Sequence, residues 1–217
     1  MRTRFKICCM GSVEEAALAV AVGADAVGLV GAMPSGPGPI PDELAREIAA
    51  SVPPPVATFL LTSRTRARDI ADHVAYCGVT TVQVVQHIEP AEAEELARLL
   101  PPSVRRVQVL HVEGPAAVEL AAAYRPFVHA FLLDSGRPSL AVPELGGTGR
   151  VHDWAVSREL VRSAGRPVFL AGGLKAENAA EAIRTVRPYG LDVCSGVRTE
   201  GRLDPAKLEG FAAAVRG

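Results

Sequence analysis

Short runs rich in β-branched and other apolar residues alternate, along the whole chain, with longer segments of Ala, Leu, Glu and Arg. Consecutive βα units around a parallel sheet require that alternation, because each strand is covered on both faces and each crossover helix is apolar on one side. Eight units can be read. The expected strands are Phe5–Cys9, Ala26–Val30, Pro55–Leu61, Thr81–Val85, Val107–Val112, Ala130–Asp134, Pro167–Ala171 and Leu191–Cys194. The expected helices are Val13–Val22, Asp42–Ser51, Thr65–Tyr76, Ala91–Leu100, Ala116–Tyr124, Trp154–Ser163, Glu177–Val186 and Pro205–Val215.

The punctuation agrees with this division. Ser12, Pro41-Asp42, Asp153 and Asp204-Pro205 suit helix starts, where a side-chain oxygen or a fixed φ meets the unpaired N–H end. Gly23, Gly78, Gly165 and Gly190 are expected at helix exits, where φ turns positive. Eight strands with crossover helices can close into a barrel or lie open as a doubly wound sheet, and the strand count favours closure into a (β/α)₈ TIM barrel. The Pro/Gly-rich stretch 33–41 and the segment 135–150 both follow a strand, where such barrels place functional loops, so residues 1–217 are expected to form one domain.

Charge and cysteine usage exclude several classes of function. With 48% hydrophobic and 22% charged residues the chain is expected to be globular. A formal net charge of -1 with scattered Lys and Arg offers no basic face for nucleic acid. No stretch is long enough to span a bilayer, and the apolar run after Arg4 is too short for a signal-peptide core. Adjacent Cys8 and Cys9, with Cys77 and Cys194 distant, match neither a disulfide framework nor a zinc spacing, which points to the cytoplasm. The histidines show no metal-ligand spacing: His73 and His87 read as helix-surface or loop residues, and His111 and His129 as ordinary barrel residues. No metal is assigned, and the oligomeric state is left open.

Three places carry chemistry. Lys6 and Cys8 share one face of the first strand, and a cation beside a thiol favours the thiolate, which can act as base or nucleophile; the alternative is a small buried hydrophobe. Asp134 ends an apolar strand at the C-terminal rim, where barrels carry catalytic side chains, or else it caps a loop. Glycine-rich segments follow strands six, seven and eight: Gly146-Gly147-Thr148-Gly149, Gly172-Gly173-Leu174 and Ser195-Gly196-Val197. Grouped at one corner, their backbone N–H groups can cradle the phosphate of a small-molecule substrate.

The ordered set Lys6-Ile7-Cys8, 23–28 (GADAVG), Leu132-Leu133-Asp134, 146–149 (GGTG) with Asp153-Trp154, 170–174 (LAGGL) with Asn178, and 192–197 (DVCSGV) resembles phosphoribosylanthranilate isomerase, nearly end to end. The resemblance implies a closed barrel, no cofactor, and an Amadori rearrangement in tryptophan biosynthesis, an aldose-ketose isomerisation of an N-linked phosphoribosyl amine. It also implies Asp134 as general acid and Cys8 as general base.

The chain departs from the family pattern on one side of the site. Ser35-Gly36-Pro37-Gly38-Pro39 stands where the family has Ser-x-Arg, whose arginine meets the anthranilate carboxylate. The family's Val-Gln-Leu-His-Gly becomes 82–87 (VQVVQH), its Gly-Ile-Thr becomes Cys9-Met10-Gly11, and its Ser-Gly-Val-Glu ends in Arg198, which could compensate from another loop. Three readings follow: the family's own isomerase with rearranged contacts, a paralogous isomerase acting on another N-phosphoribosyl amine, and a non-catalytic phosphate-binding barrel.

Overall fold

The protein is described by a computed structural model that covers residues 2–34, 36–111, 116–135 and 154–217. Strands β1 (Arg4–Ile7), β2 (Ala26–Val30), β3 (Ala57–Thr62), β4 (Thr81–Val84), β5 (Arg105–His111), β6 (Ala130–Asp134), β7 (Val168–Leu170) and β8 (Gly190–Val193) pair in sequence order. β8 returns to β1 in parallel, from Arg4↔Gly190 to Ile7↔Val193, and this closes the (β/α)₈ barrel. Around it lie α1 (Val13–Ala21), α2 (Asp42–Ser51), α3 (Ala67–Cys77), α4 (Pro90–Leu99), α5 (Ala116–Tyr124), α6 (Trp154–Ser163), α7 (Ala176–Val186) and α8 (Pro205–Arg216). A 3₁₀ turn (Ser195–Val197) and a two-stranded ribbon, β9 (Arg198–Thr199) with β10 (Arg202–Leu203), fill the crossover from β8 to α8.

Alternation along each strand separates two apolar clusters. Ile7, Leu29, Leu60, Phe131, Leu133 and Leu170 face outward into the layer shared with the helices, while Ala26, Phe59, Val107, Leu132 and Phe169 fill the barrel interior. The same parity turns Lys6, Cys8, His111, Asp134 and Asp192 toward the axis.

Several starts and stops behave as their side chains dictate. Ser12 Oγ accepts the Glu15 amide at 3.3 Å, and Asp204 caps α8 through the Ala206 and Lys207 amides. Gly23, Gly78 and Gly165 have positive φ. Gly190, expected at a helix exit, instead opens β8, and it is Arg187 that turns left-handed after α7. The side chain is missing at Gly190 for packing, since a Cβ there would lie 2.7 Å from the Phe169 ring. β1 stops at Ile7 rather than running to Cys9, because Cys9 has φ 66 and breaks the extended chain. Asp153 and Val112 lie outside the described residues.

Gly28 decides whether the interior can admit the β1 side chains. A Cβ on it would stand 2.8 Å from Cys8 Sγ and 3.1 Å from Lys6 Cε. Gly28→Ala is therefore expected to lower unfolding free energy by about 1–3 kcal/mol, the usual cost of overpacking. Urea denaturation checks this, and an unchanged midpoint would show that the contact relaxes freely.

Candidate active site

The interior of the C-terminal half is organised by one buried ion pair. Lys6 Nζ lies 2.7 Å from Asp192 Oδ1, with Lys6 fully buried and Asp192 nearly so. The pair follows from register, since Lys6 and Asp192 are direct partners on adjacent strands and both point inward. Burial acts to strip the Lys6 charge, but Asp192, and then Cys8, more than reverse this and hold the ammonium well above its usual range. The Phe59 ring faces the ammonium at 5.5 Å.

One step higher, Cys8 is buried at the end of β1, its amide bonded to the Val193 carbonyl at 2.8 Å. Asp134, at the tip of β6, accepts the Ser135 amide at 2.6 Å. Burial raises its carboxyl above the usual carboxylate range, and Asp192 adds to this; the Ser135 amide, His111 and Lys6 oppose it without cancelling it.

Asp192 and His111, which the sequence leaves as a structural hydrogen-bonding candidate and an ordinary barrel residue, belong beside these groups. Asp192 is the counter-ion that lets a lysine sit inside a barrel. His111 ends β5 as the register partner of Asp134. His111 Nε2 lies 3.0 Å from the Val85 carbonyl, to which it can only donate, and buried Nδ1 has no partner among the described residues. The parity of Val107 and Val109 in the interior was the available signal, because it carries His111 to the same face.

The glycine segments expected to hold phosphate are partly in view. Gly172 and Gly173 have φ of 88 and 63, and the Gly173 carbonyl accepts Asn178 Nδ2 at 3.0 Å. Gly196 meets this loop so closely that a Cβ would lie 2.0 Å from the Leu174 carbonyl oxygen, which brings the segments after β7 and β8 together. Ser195 is exposed beside them. Gly146, Gly147, Thr148 and Gly149 lie outside the described residues.

Arg198 is held from several sides. Its two terminal nitrogens bond both Glu15 oxygens at 3.1 and 3.0 Å, the Gly201 carbonyl at 2.9 Å, and the Cys8 and Cys9 carbonyls. Glu15 in turn accepts the Gly11 and Leu203 amides, so this pair ties the loop after β1 to the ribbon after β8. The Gly36–Pro39 segment packs onto the same place. A Cβ at Gly38 would lie 2.6 Å from Cys9 Cβ, and Cys9 Sγ is 3.7 Å from the Pro37 carbonyl.

Away from the rim, His73 is buried rather than on a helix surface; its ring links Asp42 at 2.9 Å and Thr62 at 3.3 Å. Asp42, His73 and Cys77 place ligand atoms within 4.8 Å of one another, but both imidazole nitrogens already have partners, and Arg64 lies 3.6 Å from Asp42. The cluster reads as a tie between α2 and α3.

The comparisons with known proteins decide the family. A model of the family described as N-(5'phosphoribosyl)anthranilate (PRA) isomerase matches residues 5–214. The chain belongs to this family. An N-(5'-phosphoribosyl)anthranilate isomerase of Haloferax volcanii is 40% identical, with 99% of this chain and 93% of that one covered. The family member called N-(5'-phosphoribosyl)anthranilate isomerase 2 in Methanosarcina mazei is 38% identical over 96% of this chain and 92% of its own. Among solved structures, the phosphoribosyl anthranilate isomerase of Thermus thermophilus superposes with a TM-score of 0.83 at 31% identity, covering 98% of both chains. Another, in complex with reduced 1-(o-carboxyphenylamino)-1-deoxyribulose 5-phosphate, gives 0.81 at 28% identity over 98% of both chains. Among the described residues, no helix is long and apolar enough to cross a membrane.

The ion pair gives a direct test of how the family's site is held. Lys6→Met leaves Asp192 buried without its cation and is expected to cost about 3–5 kcal/mol of stability. Chemical denaturation measures it. A loss below about 1 kcal/mol, the range of exposed pairs, would mean that water reaches the pair.

Proposed function

We propose that the chain works as one (β/α)₈ domain that converts N-(5'-phosphoribosyl)anthranilate to its 1-deoxyribulose ketose, an aldose-ketose isomerisation of the Amadori type. Family membership over nearly the whole chain carries this reading, together with a thiol and a raised carboxyl that both face the barrel axis at the C-terminal rim.

In this reading Asp134 is the general acid. Its carboxyl keeps its proton above the ordinary carboxylate range, so it can protonate the furanose ring oxygen and open the ring to an iminium. The iminium acidifies the C2 hydrogen, Cys8 removes it as base, and the enolamine that forms tautomerises to the ketone. Besides these proton transfers, the only other bond broken is C1–O of the ring, whose electrons go to the protonated oxygen while the nitrogen lone pair forms the iminium, so no redox partner is required. Buried Lys6 and Asp192 form the floor between them. The substrate phosphate is held by the backbone at Gly172, Gly173, Ser195 and Gly196, joined by Gly146, Gly147, Thr148 and Gly149.

A second reading, a paralogous isomerase acting on another N-phosphoribosyl amine, is favoured by one observation. Arg198, the candidate partner for the anthranilate carboxylate, is braced by Glu15 and by main-chain carbonyls, and Gly36–Pro39 supplies no cation. Arg198 is then a brace of the rim rather than a substrate contact, and the carboxylate finds a weaker partner or is absent.

Loss of substrate fluorescence on mixing the protein with N-(5'-phosphoribosyl)anthranilate separates the readings. Turnover that falls by about 10²-fold or more in both Cys8→Ala and Asp134→Asn supports the first, since that is the range of an acid-base contribution. No turnover by the native protein refutes it, and turnover with another N-phosphoribosyl amine establishes the second.

The raised Asp134 carboxyl also sets a pH dependence of stability. Its folded value lies above its unfolded one, so the contribution is present below the ordinary carboxylate range and is lost as pH rises through the raised value. Asp134→Asn, which mimics the protonated form, should be more stable than the native protein at neutral pH, with the gain fading toward about pH 4. Urea melts at both pH values check this; a variant less stable at neutral pH would show that the carboxylate is welcome where it stands.

A further inference from the structure

Acid-base chemistry at this rim uses one thiol, yet Cys9 and Cys194 are grouped beside Cys8 and have no part in the proposed reaction. Cys9 Sγ and Cys194 Sγ are 2.6 Å apart, while both remain free thiols. A bond between them needs a displacement of only about half an ångström, given an S–S length of about 2.05 Å. The backbone explains the approach. β1 and β8 run side by side to their ends, and the left-handed turn at Cys9 swings its sulfur back across to the strand that Cys194 terminates.

The pair borders a cavity that reaches solvent through Cys194. Cys9 and Cys194 both line a cavity of about 730 Å³ bounded by Ser12, the Pro37–Pro39 segment and Arg198, and Cys8 is absent from the described residues lining it. Cys194 is partly exposed there, whereas Cys9 is buried. The two thiols are also differentiated. The Cys9 hydrogen bond and the nearby Arg198 charge hold Cys194 below the usual thiol range against the effect of burial. Hydrogen bonds to Cys194 and Cys8, and then burial, push Cys9 well above it. Cys194, the partly exposed member of the pair and the one whose ionisation is favoured, is thus the attacking thiol, and buried Cys9 the resolving one.

We propose that Cys9 and Cys194 form a redox-active dithiol, a modification site that exchanges with low-molecular-weight disulfides and closes to an intramolecular disulfide. The Cys194 thiolate attacks one sulfur of RSSR, breaking that bond, releasing RS⁻ and forming a mixed disulfide. Cys9 then gives up its proton, and its sulfur attacks Cys194 Sγ and expels the second RS⁻. Released thiolates take up protons as RSH, so two protein thiols are oxidised and one disulfide is reduced to two thiols. This site stands on the positions of the sulfurs and not on the isomerase reading, so the two can fail separately.

The test incubates the native, reduced protein with oxidised glutathione, alkylates the remaining thiols, and reads intact mass and mapped peptides. The expected product lacks a pair of hydrogen atoms, links Cys9 to Cys194, carries the alkyl label on Cys8 and Cys77, and reverts with dithiothreitol. Cys8→Ser should still close the bond. Cys9→Gly, which suits the positive φ at that position, should stop at the mixed disulfide on Cys194, and Cys194→Ser should form no link. A link that runs through Cys8, or a native protein whose four thiols all stay alkylatable, overturns the proposal.

Discussion

The contact between Lys6 and Asp192 is the constraint on which the upper half of the barrel depends. A lysine inside a barrel is tolerated only if its charge is met at close range, and the register of β1 against β8 meets it at 2.7 Å. The consequences reach three other groups. Gly28 must lack a side chain so that the lysine stem and Cys8 can enter, Cys8 is positioned directly above the pair, and Asp134 feels both of its charges. The two charges act in opposite senses on the Asp134 carboxyl, Asp192 raising it and Lys6 lowering it.

A second constraint sits at the rim. Cys9 occupies a left-handed position that a glycine would fill without strain, and its side chain needs room. That room comes from Gly38, where any Cβ would collide with Cys9, so the loop after β2 is drawn down onto the end of β1. Arg198 clamps the same turn from the other side through the Cys8 and Cys9 carbonyls and Glu15. Three of the departures noted in the sequence, at positions 9–11, 36–39 and 198, therefore fall in one physically coupled patch, while the one at 82–87 lies apart. A side chain at position 9, a glycine-proline loop facing it and a braced arginine make a single altered wall.

The barrel was legible in the sequence because strand and helix periods differ and because glycines and caps mark the joints; each expected strand matches an observed one to within a few residues. The errors have local causes. β1 ends before Cys9 because backbone conformation, not side-chain type, stops it, and Gly190 was read as a helix exit although it is a packing glycine beneath Phe169. Cys8 and Asp134 could be picked out from their places at strand ends. Asp192 and His111 could not be given roles, since a partner on a neighbouring strand becomes visible only when register is known. The Arg198 brace depends on a contact between residues separated by most of the chain, which no local pattern encodes.

In the proposed reaction Cys8 and Asp134 flank the reacting carbons while the loops after β7 and β8 hold the phosphate. A crystal structure of this protein with reduced 1-(o-carboxyphenylamino)-1-deoxyribulose 5-phosphate tests it most directly. The phosphate is expected against Gly172, Gly173 and Gly196, with Cys8 Sγ within about 3.5 Å of C2, the distance of a near-attack arrangement, and the Asp134 carboxyl on the side of the sugar oxygen. A phosphate bound elsewhere on the rim, or a C2 atom out of reach of Cys8, would contradict it.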